Sequence, residues 1–323
     1  MMGPHIDRQL LGEAYASHPF FIVGSPRSGT TLLRLIFDSH PGLAVPEESH
    51  FVVGLAARRL RLAGRPGLAL ERMLAHPHLV EHWDVDPAVL RLGAEQLEPR
   101  TLGEAERAVF AAYAAAHGKR RWGDKTPGYA AHIGLVSTTF PDAVFIHIIR
   151  DGREVAASLV EREWGPRSPV TGGFWWREKV EAGRRTGSQL GACRYTEVML
   201  RHLISDPEAE LRRLCDFIGE DFHPAMLCYR DGHEARRVGA LPEHSHVMAP
   251  IGADMRAWEK GMSDTERRAL EAVTGPLLRQ LGFDCHTVPA RFLLLAHLFR
   301  FRDRMRQLPT EIRYRLHPSS RLV

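Results

Sequence analysis

The chain is 323 residues long, 44% hydrophobic and 25% charged, with a formal net charge of +4; this is the balance of a soluble globular enzyme, with length enough for a sizeable core in one large α/β domain or two small ones. Its four cysteines, Cys193, Cys215, Cys228 and Cys285, stand far apart without a CxxC pair, which argues against a disulfide framework and against zinc. No apolar run approaches the roughly 20 residues of a membrane span, residues 1–15 lack the charged-then-apolar layout of a secretion signal, and a reducing, cytoplasmic setting is expected.

In chain order, residues 20–24 (FFIVG) read as a short apolar strand and 29–39 as an apolar-periodic helix, joined by a glycine-bounded turn. That layout is a phosphate cradle. Gly24 and Gly29 allow tight backbone and positive φ, and the amides entering the helix face an anion with the helix dipole behind them. Ser25 lies within the turn, Ser28, Thr30 and Thr31 offer hydroxyls, and Arg27 a fixed cation. Gly24 to Thr31 keeps the G-x-x-x-x-G-K-[ST] spacing, yet Thr30 stands where the phosphate-reaching lysine belongs. The cation must then come from Arg27 or from elsewhere in the chain, which points away from ordinary ATP chemistry.

Residues 40–51 form a Pro- and Gly-punctuated turn carrying a second short strand, and 51–118 read as helices broken near 64–67, 76–78 and 86–87. RWGDKTPGY, 121–129, is too polar and Gly/Pro-rich for a regular element, so a loop is expected there. AVFIHIIRD, 143–151, reads as a parallel strand buried on both faces, with a helix behind it. Ligands of open parallel sheets gather at the carboxyl ends of strands, which brings Arg150 and Asp151 to the region of the phosphate loop. CRYTEVM follows at 193–199, then an amphipathic helix at 206–222 that stops at Gly219. Residues 239–262 read as a long loop of the kind that forms lids, ending near Trp258.

Residues 291–323 hold eight arginines against Asp303 and Glu311, a net of +6 that leaves −2 for everything before them. Phe292, Leu295, Leu298 and Phe299 recur there at helical spacing. This apolar face is expected to pack on the domain or on a second subunit as a homodimer contact, with membrane-surface binding as the lesser reading. Nucleic-acid binding is not expected, because no aromatic stacking series accompanies the charge.

The pieces GSPRSGTTLLR, PEESHF, WGDKTP, IIRDGREVAASL and RYTEVM stand in the order seen in sulfotransferases. Over about residues 20–260 the chain resembles the P-loop sulfotransferases that use 3′-phosphoadenosine 5′-phosphosulfate (PAPS), particularly the branch of the tyrosylprotein sulfotransferases and their bacterial relatives. PAPS carries a 5′-phosphosulfate and a separate 3′-phosphate, so a binder needs two anion sites on opposite sides of a ribose. Residues 24–31 suit the first. The resemblance assigns Arg150 and Ser158 to the second, with Arg162 one helical turn beyond Ser158, and Tyr195 and Arg256 near the 3′ side.

Sulfuryl transfer resembles phosphoryl transfer, in which positioned cations stabilise a loose transition state. Arg27 and Lys125 are the expected cations. By resemblance Glu48, the second acidic residue of PEES, matches the general base and would need to lie within about 2.6–3.2 Å of the acceptor oxygen; His50 is the lesser candidate. Here the sequence departs from the cytosolic sulfotransferases, which use a histidine base and a lysine within the phosphate loop. The transferred group bears one charge and the bisphosphate leaves readily, so no metal is required in principle.

The expectation is therefore an α/β fold with a P-loop-type central parallel sheet, helices on both faces and a helical insertion at about 51–118, forming a domain over 1–290 followed by a basic helical arm over 291–323. The expected activity moves a sulfuryl group from PAPS to a hydroxyl, with an amine the lesser alternative, on a small-molecule, lipid or natural-product acceptor. Two rivals stand beside it. One is a P-loop small-molecule kinase using ATP-magnesium with Asp151 as a metal ligand; the other is a non-catalytic nucleotide-binding or assembly protein, in which Glu48 would have no role.

Overall fold

Among the described residues five short runs form strands: β1 (Phe20–Gly24), β2 (Leu43–Ala44), β3 (Arg121–Lys125), β4 (Val144–Ile149) and β5 (Tyr195–Met199). They pair in parallel in the order β2-β3-β1-β4-β5. The computed structural model describes residues 6–241, 247–248 and 258–316, and for 59–60 and 307–316 the backbone alone. Packing resolves the chain into two units. The first comprises the chain up to Gly24, Gly29–Ile149 and Ala182–Asp254; the second comprises Ser25–Ser28, Arg150–Glu181 and the chain from Met255.

In the first unit the sheet is buried on both sides, as parallel sheets are. Side chains alternate across a strand, so Phe21 and Val23 of β1 join one core with Trp122 and Phe145, while Phe20 and Ile22 join another with Ile146, Ile148 and Val198. The first core is closed by α1 (Arg8–Ala16) and by helices between β2 and β3. Those are α3 (Phe51–Ala56), α4 (Arg59–Leu62), α5 (Pro66–Leu74), α6 (Pro77–His82), α7 (Pro87–Gln96) and α8 (Leu102–Ala116), with α9 (Ile133–Thr139) after β3. The second is closed by α2 (Thr30–Asp38), α12 (Leu200–Ser205), α13 (Pro207–Ile218) and α14 (His233–Gly239). Gly219 ends α13 in the left-handed conformation, φ 76, where glycine carries no Cβ penalty.

The second unit consists of α10 (Gly152–Val160), the Pro169–Glu181 part of α11 (Pro169–Gly187), α15 (Asp264–Gln280) and α16 (Arg291–Leu316). Its core is Ala156, Val170, Phe174, Met262, Ala269, Leu270, Val273 and Ala296. Close helix contact rests on small residues: a Cβ on Gly173 would stand 2.6 Å from Leu270 Cδ1.

One expectation is corrected here. Residues 121–125 are not a loop but β3, an inner strand between β2 and β1 with all five residues buried. Its polar side chains find partners inside the protein. Arg121 donates from Nε to His18 O at 2.7 Å and from Nη1 to Ile218 O at 2.7 Å. Gly123 leaves room for the Phe20 ring, which a Cβ would meet at 2.5 Å.

Candidate active site

The phosphate loop begins where β1 ends. A Cβ on Gly24 would lie 2.7 Å from Ile148 O, so glycine is needed there for the close approach of β4; its φ is not among the positive values. Positive φ occurs instead at Arg27, φ 69, and Gly29, φ 92. Gly29 opens α2, and no side chain caps that helix terminus. The first-turn amides of a helix have no intrahelical acceptor, so those of Thr30 and Thr31 remain for an anion, with the helix dipole behind them. Thr30 is buried and Thr31 half-buried. Inside the turn Ser28 N donates to Ser25 O at 3.2 Å, and the buried Ser28 Oγ has no hydrogen-bond partner among the described residues. A buried, unpaired hydroxyl is a donor that a phosphate or sulfate ester would satisfy, and open helix amides are another.

In the second unit Arg27 Nε donates to Ser158 Oγ at 3.1 Å, and Arg150 Nη1 to Arg27 O at 3.4 Å. Arg150 Nε also pairs with Glu154 Oε2 at 2.6 Å, and Trp176 Nε1 donates to Arg150 O at 3.1 Å. Arg27, Arg150 and Ser158 are thus one cluster, although the resemblance divided them between two anion sites. Arg162 is not one turn along the same helix, because α10 stops at Val160. Its Nε is buried and unpaired among the described residues. Arg256 lies outside the described residues. Asp151 is consumed structurally: it caps α10 through Arg153 N at 2.8 Å and pairs with Arg153 Nη2 at 2.7 Å. This leaves the rival magnesium role without a ligand at that position.

In the first unit Lys125 is the last residue of β3, so it leaves the sheet at its carboxyl edge. Its Nζ donates to Glu48 Oε1 at 2.8 Å, while His50 Nε2 lies 3.0 Å from Glu48 Oε2. Burial alone would raise the Glu48 pKa. The Lys125 ammonium and His50 outweigh it and hold the carboxyl well below the usual range. His50 opens α3 at φ 52 and packs against His78 with the rings tilted by 42°, centroids 4.3 Å apart; burial and neighbouring histidines push His78 down to about 4.

A buried polar layer fixes this pair from within. Ser49 Oγ donates to Asp124 Oδ2 at 3.1 Å and lies 2.9 Å from Tyr129 OH. Thr126 Oγ1 donates to Asp124 Oδ1 at 3.1 Å, and Ser49 N to Thr126 Oγ1 at 3.0 Å. Burial pushes Asp124 up to about 7 against the opposing hydrogen bonds of Ser49 and Thr126. These bonds tie the segment of Glu48 to the end of β3, and so set the distance from Glu48 to Lys125. Sequence reasoning picked Glu48 and Lys125 but passed over Ser49, Asp124, Thr126 and Tyr129, although each sits within a few residues of them in the same two motifs.

Tyr195 stands at the start of its strand, away from the end of β1. It begins β5 opposite Phe145, whereas Gly24 lies opposite Ile148; three residues of strand separate the two levels by about 10 Å. Its hydroxyl lies 2.7 Å from His147 Nδ1 and donates to Glu197 Oε1 at 3.0 Å. It is half-buried and packs against the first core. Among the described residues no three His, Cys, Asp or Glu side chains are grouped as a metal site requires.

The chain is 22% identical to protein-tyrosine sulfotransferase A of Caenorhabditis elegans, over 85% of this chain and 70% of that protein. It is 27% identical to the omega-hydroxy-beta-dihydromenaquinone-9 sulfotransferase Stf3 of Mycobacterium bovis, over 88% and 80%. Among solved structures, the sulfotransferase domain of the Synechococcus PCC 7002 olefin synthase superposes with a TM-score of 0.60 at 25% identity, covering 84% of this chain and 96% of that domain. The sulfotransferase family profile matches residues 19–224, most of the chain and every strand of the sheet, and the protein therefore belongs to the sulfotransferase family.

Proposed function

We propose that this enzyme transfers the sulfuryl group of PAPS to a hydroxyl of a small-molecule, lipid or natural-product acceptor, releasing 3′,5′-bisphosphoadenosine. PAPS supplies an activated sulfuryl group whose bond to the 5′-phosphate breaks as the new sulfur–oxygen bond forms. The work of the protein is to hold both ends and move one proton. The open amides of α2 and the unpaired Ser28 hydroxyl hold the 5′ end; Ser158, Arg150 and Arg162 hold the 3′-phosphate. Arg27 and Lys125 oppose the negative charge that grows on the transferring and leaving oxygens.

Glu48 takes the acceptor proton. In its pair with Lys125 the carboxylate is stabilised and weakly basic. When the ammonium is drawn toward the transferring group, its hold on Glu48 slackens and basicity rises at the moment the proton must leave. The pairing of Glu48 with Lys125 at 2.8 Å is the observation that carries this reading, since neither a nucleotide-binding scaffold nor a kinase relying on Asp151 needs it.

Calorimetry with 3′,5′-bisphosphoadenosine and with 5′-AMP tests the donor: tighter binding of the bisphosphate is expected, and equal affinity would defeat the proposal. Mass spectrometry of acceptor mixtures incubated with PAPS should then show products heavier by one SO3, absent in the Glu48→Gln variant.

A further inference from the structure

Two stripes run along opposite faces of α16. Phe292, Ala296, Phe299 and Asp303 recur at spacings of four, three and four residues and turn toward the second unit. Ala296 and Phe299 pack with Phe174, Leu270 and Val273, the Arg268 guanidinium stands over the Phe292 ring at 5.6 Å, and Ser168 Oγ donates to the buried Asp303 Oδ2 at 2.9 Å. Leu294, Leu298, Phe301 and Met305 repeat the same spacing two residues on. At 3.6 residues per turn, two residues are about 200° round the helix, so this second stripe faces directly away from the first. These four are 72%, 63%, 63% and 51% exposed. The face expected from the sequence, Phe292 with Leu295, Leu298 and Phe299, is therefore divided: the two phenylalanines turn inward, Leu298 outward.

Charge decides what the outer stripe fits. Arg291, Arg302, Arg304 and Arg306 are all exposed; by helical angle Arg302 and Arg306 flank the stripe on one side and Arg304 on the other. The single carboxylate of residues 291–306, Asp303, is the one turned inward. A second copy laid along this seam would set arginine against arginine at the flanking positions, which disfavours pairing. An acidic lipid surface offers the opposite: phosphate headgroups for the arginines and acyl chains for the four apolar residues. Arginine stems can lie along such an apolar face while their heads stay at headgroup level.

We propose that α16 seats this protein on the surface of an anionic bilayer through Leu294, Leu298, Phe301 and Met305, with Arg302, Arg304 and Arg306 on the headgroups. The helix lies on the membrane: no described helix is long and apolar enough to cross one.

Co-sedimentation of the full chain with vesicles tests this, using phosphatidylcholine alone or with about one third phosphatidylglycerol. Binding to the anionic vesicles is expected to be at least about tenfold tighter than to phosphatidylcholine alone, and to weaken as salt screens the arginines. Leu298→Glu with Phe301→Glu should abolish it while leaving the melting temperature unchanged, because both side chains are exposed. Combined Arg302→Ala, Arg304→Ala and Arg306→Ala, which keeps the apolar stripe, should weaken it about tenfold or more. No sedimentation with anionic vesicles overturns the proposal, and so does wild-type binding by the Leu298→Glu, Phe301→Glu variant. A dimer in sedimentation equilibrium that this variant dissociates, with vesicles ignored, would mean that a second copy covers the stripe and would also overturn it.

Discussion

Lys125 Nζ and Glu48 Oε1 lie 2.8 Å apart, with the lysine side chain 4% exposed and the carboxylate 30%. One partner is fixed in the protein and the other reaches outward. A lysine so enclosed can be stripped of its counter-ion only by another anion, so the pair ties the state of the base to the presence of negative charge at the end of β3.

Glu48→Gln should lower turnover by about a hundredfold to ten-thousandfold, the usual share of a general base. Affinity for 3′,5′-bisphosphoadenosine should stay within a few-fold, because the substituted group accepts a proton and holds no phosphate. Steady-state kinetics beside calorimetry checks both, and wild-type turnover would remove Glu48 from its role.

Lys125→Ala should change the shape of the pH–rate profile as well as its height. Burial favours the neutral Glu48 and Lys125 is the foremost group opposing it, so the carboxyl pKa must rise when the lysine goes. The acidic limb of kcat/KM, which reports the free enzyme's base, is expected to move to higher pH while turnover falls. A limb left in place would mean that Lys125 does not govern the base.

Ser158→Ala should weaken 3′,5′-bisphosphoadenosine by about tenfold to a hundredfold, the worth of a hydrogen bond to a charged group, and leave 5′-AMP binding nearly unchanged. An equal loss for both ligands would place Ser158 with the 5′ end, alongside the Arg27 to which it is bonded.

Asp124→Asn should alter stability in a pH-dependent way. The folded-state pKa of Asp124 is raised, to about 7 from 3.8, so the folded protein binds this proton more tightly than the unfolded chain. Stability from this group is complete below about pH 4 and falls by about 1.4 kcal/mol per unit until about pH 7. The asparagine variant loses that slope. Chemical denaturation at pH 4.5 and 7.5, roughly the two ends of the window, checks it; equal slopes in both proteins would place the titration elsewhere.

Gly24→Ala should cost about 1–3 kcal/mol through overpacking, since its Cβ would meet a backbone oxygen at 2.7 Å and backbone yields less readily than a side chain. A melting temperature lowered by several degrees is the expected outcome; an unshifted one would show that β1 and β4 can part without loss.

The elements legible in the sequence were those whose apolar pattern matches their environment. β1 ends at Gly24 as read, α2 begins one residue later than read, and β4 falls inside 143–151. β3 escaped because its buried polar groups bond inside the protein, so polarity was mistaken for exposure. The helix α11 left no periodic signal to follow, since Gly172, Gly173 and Gly183 each stand where a Cβ would crowd a neighbour. In the candidate site the charged residues were legible, because a cation in a phosphate loop is chemically conspicuous. The hydroxyl layer of Ser49, Thr126 and Tyr129 was not, because small polar residues look alike whether they bind water or one another. For Tyr195 the aromatic ring was legible and the partners of its hydroxyl, His147 and Glu197, were not.

The backbone of Arg27 sits at φ 69, a conformation that costs an L-residue about 1–2 kcal/mol and glycine almost nothing. Arg27→Gly would relieve that strain but forfeit the bond from Arg27 Nε to Ser158 Oγ and free the unfolded chain, so its melting temperature should move little while its transfer chemistry is lost. Selection for heat tolerance alone would therefore not guard the arginine, and screens that score robustness without scoring product would let it drift away.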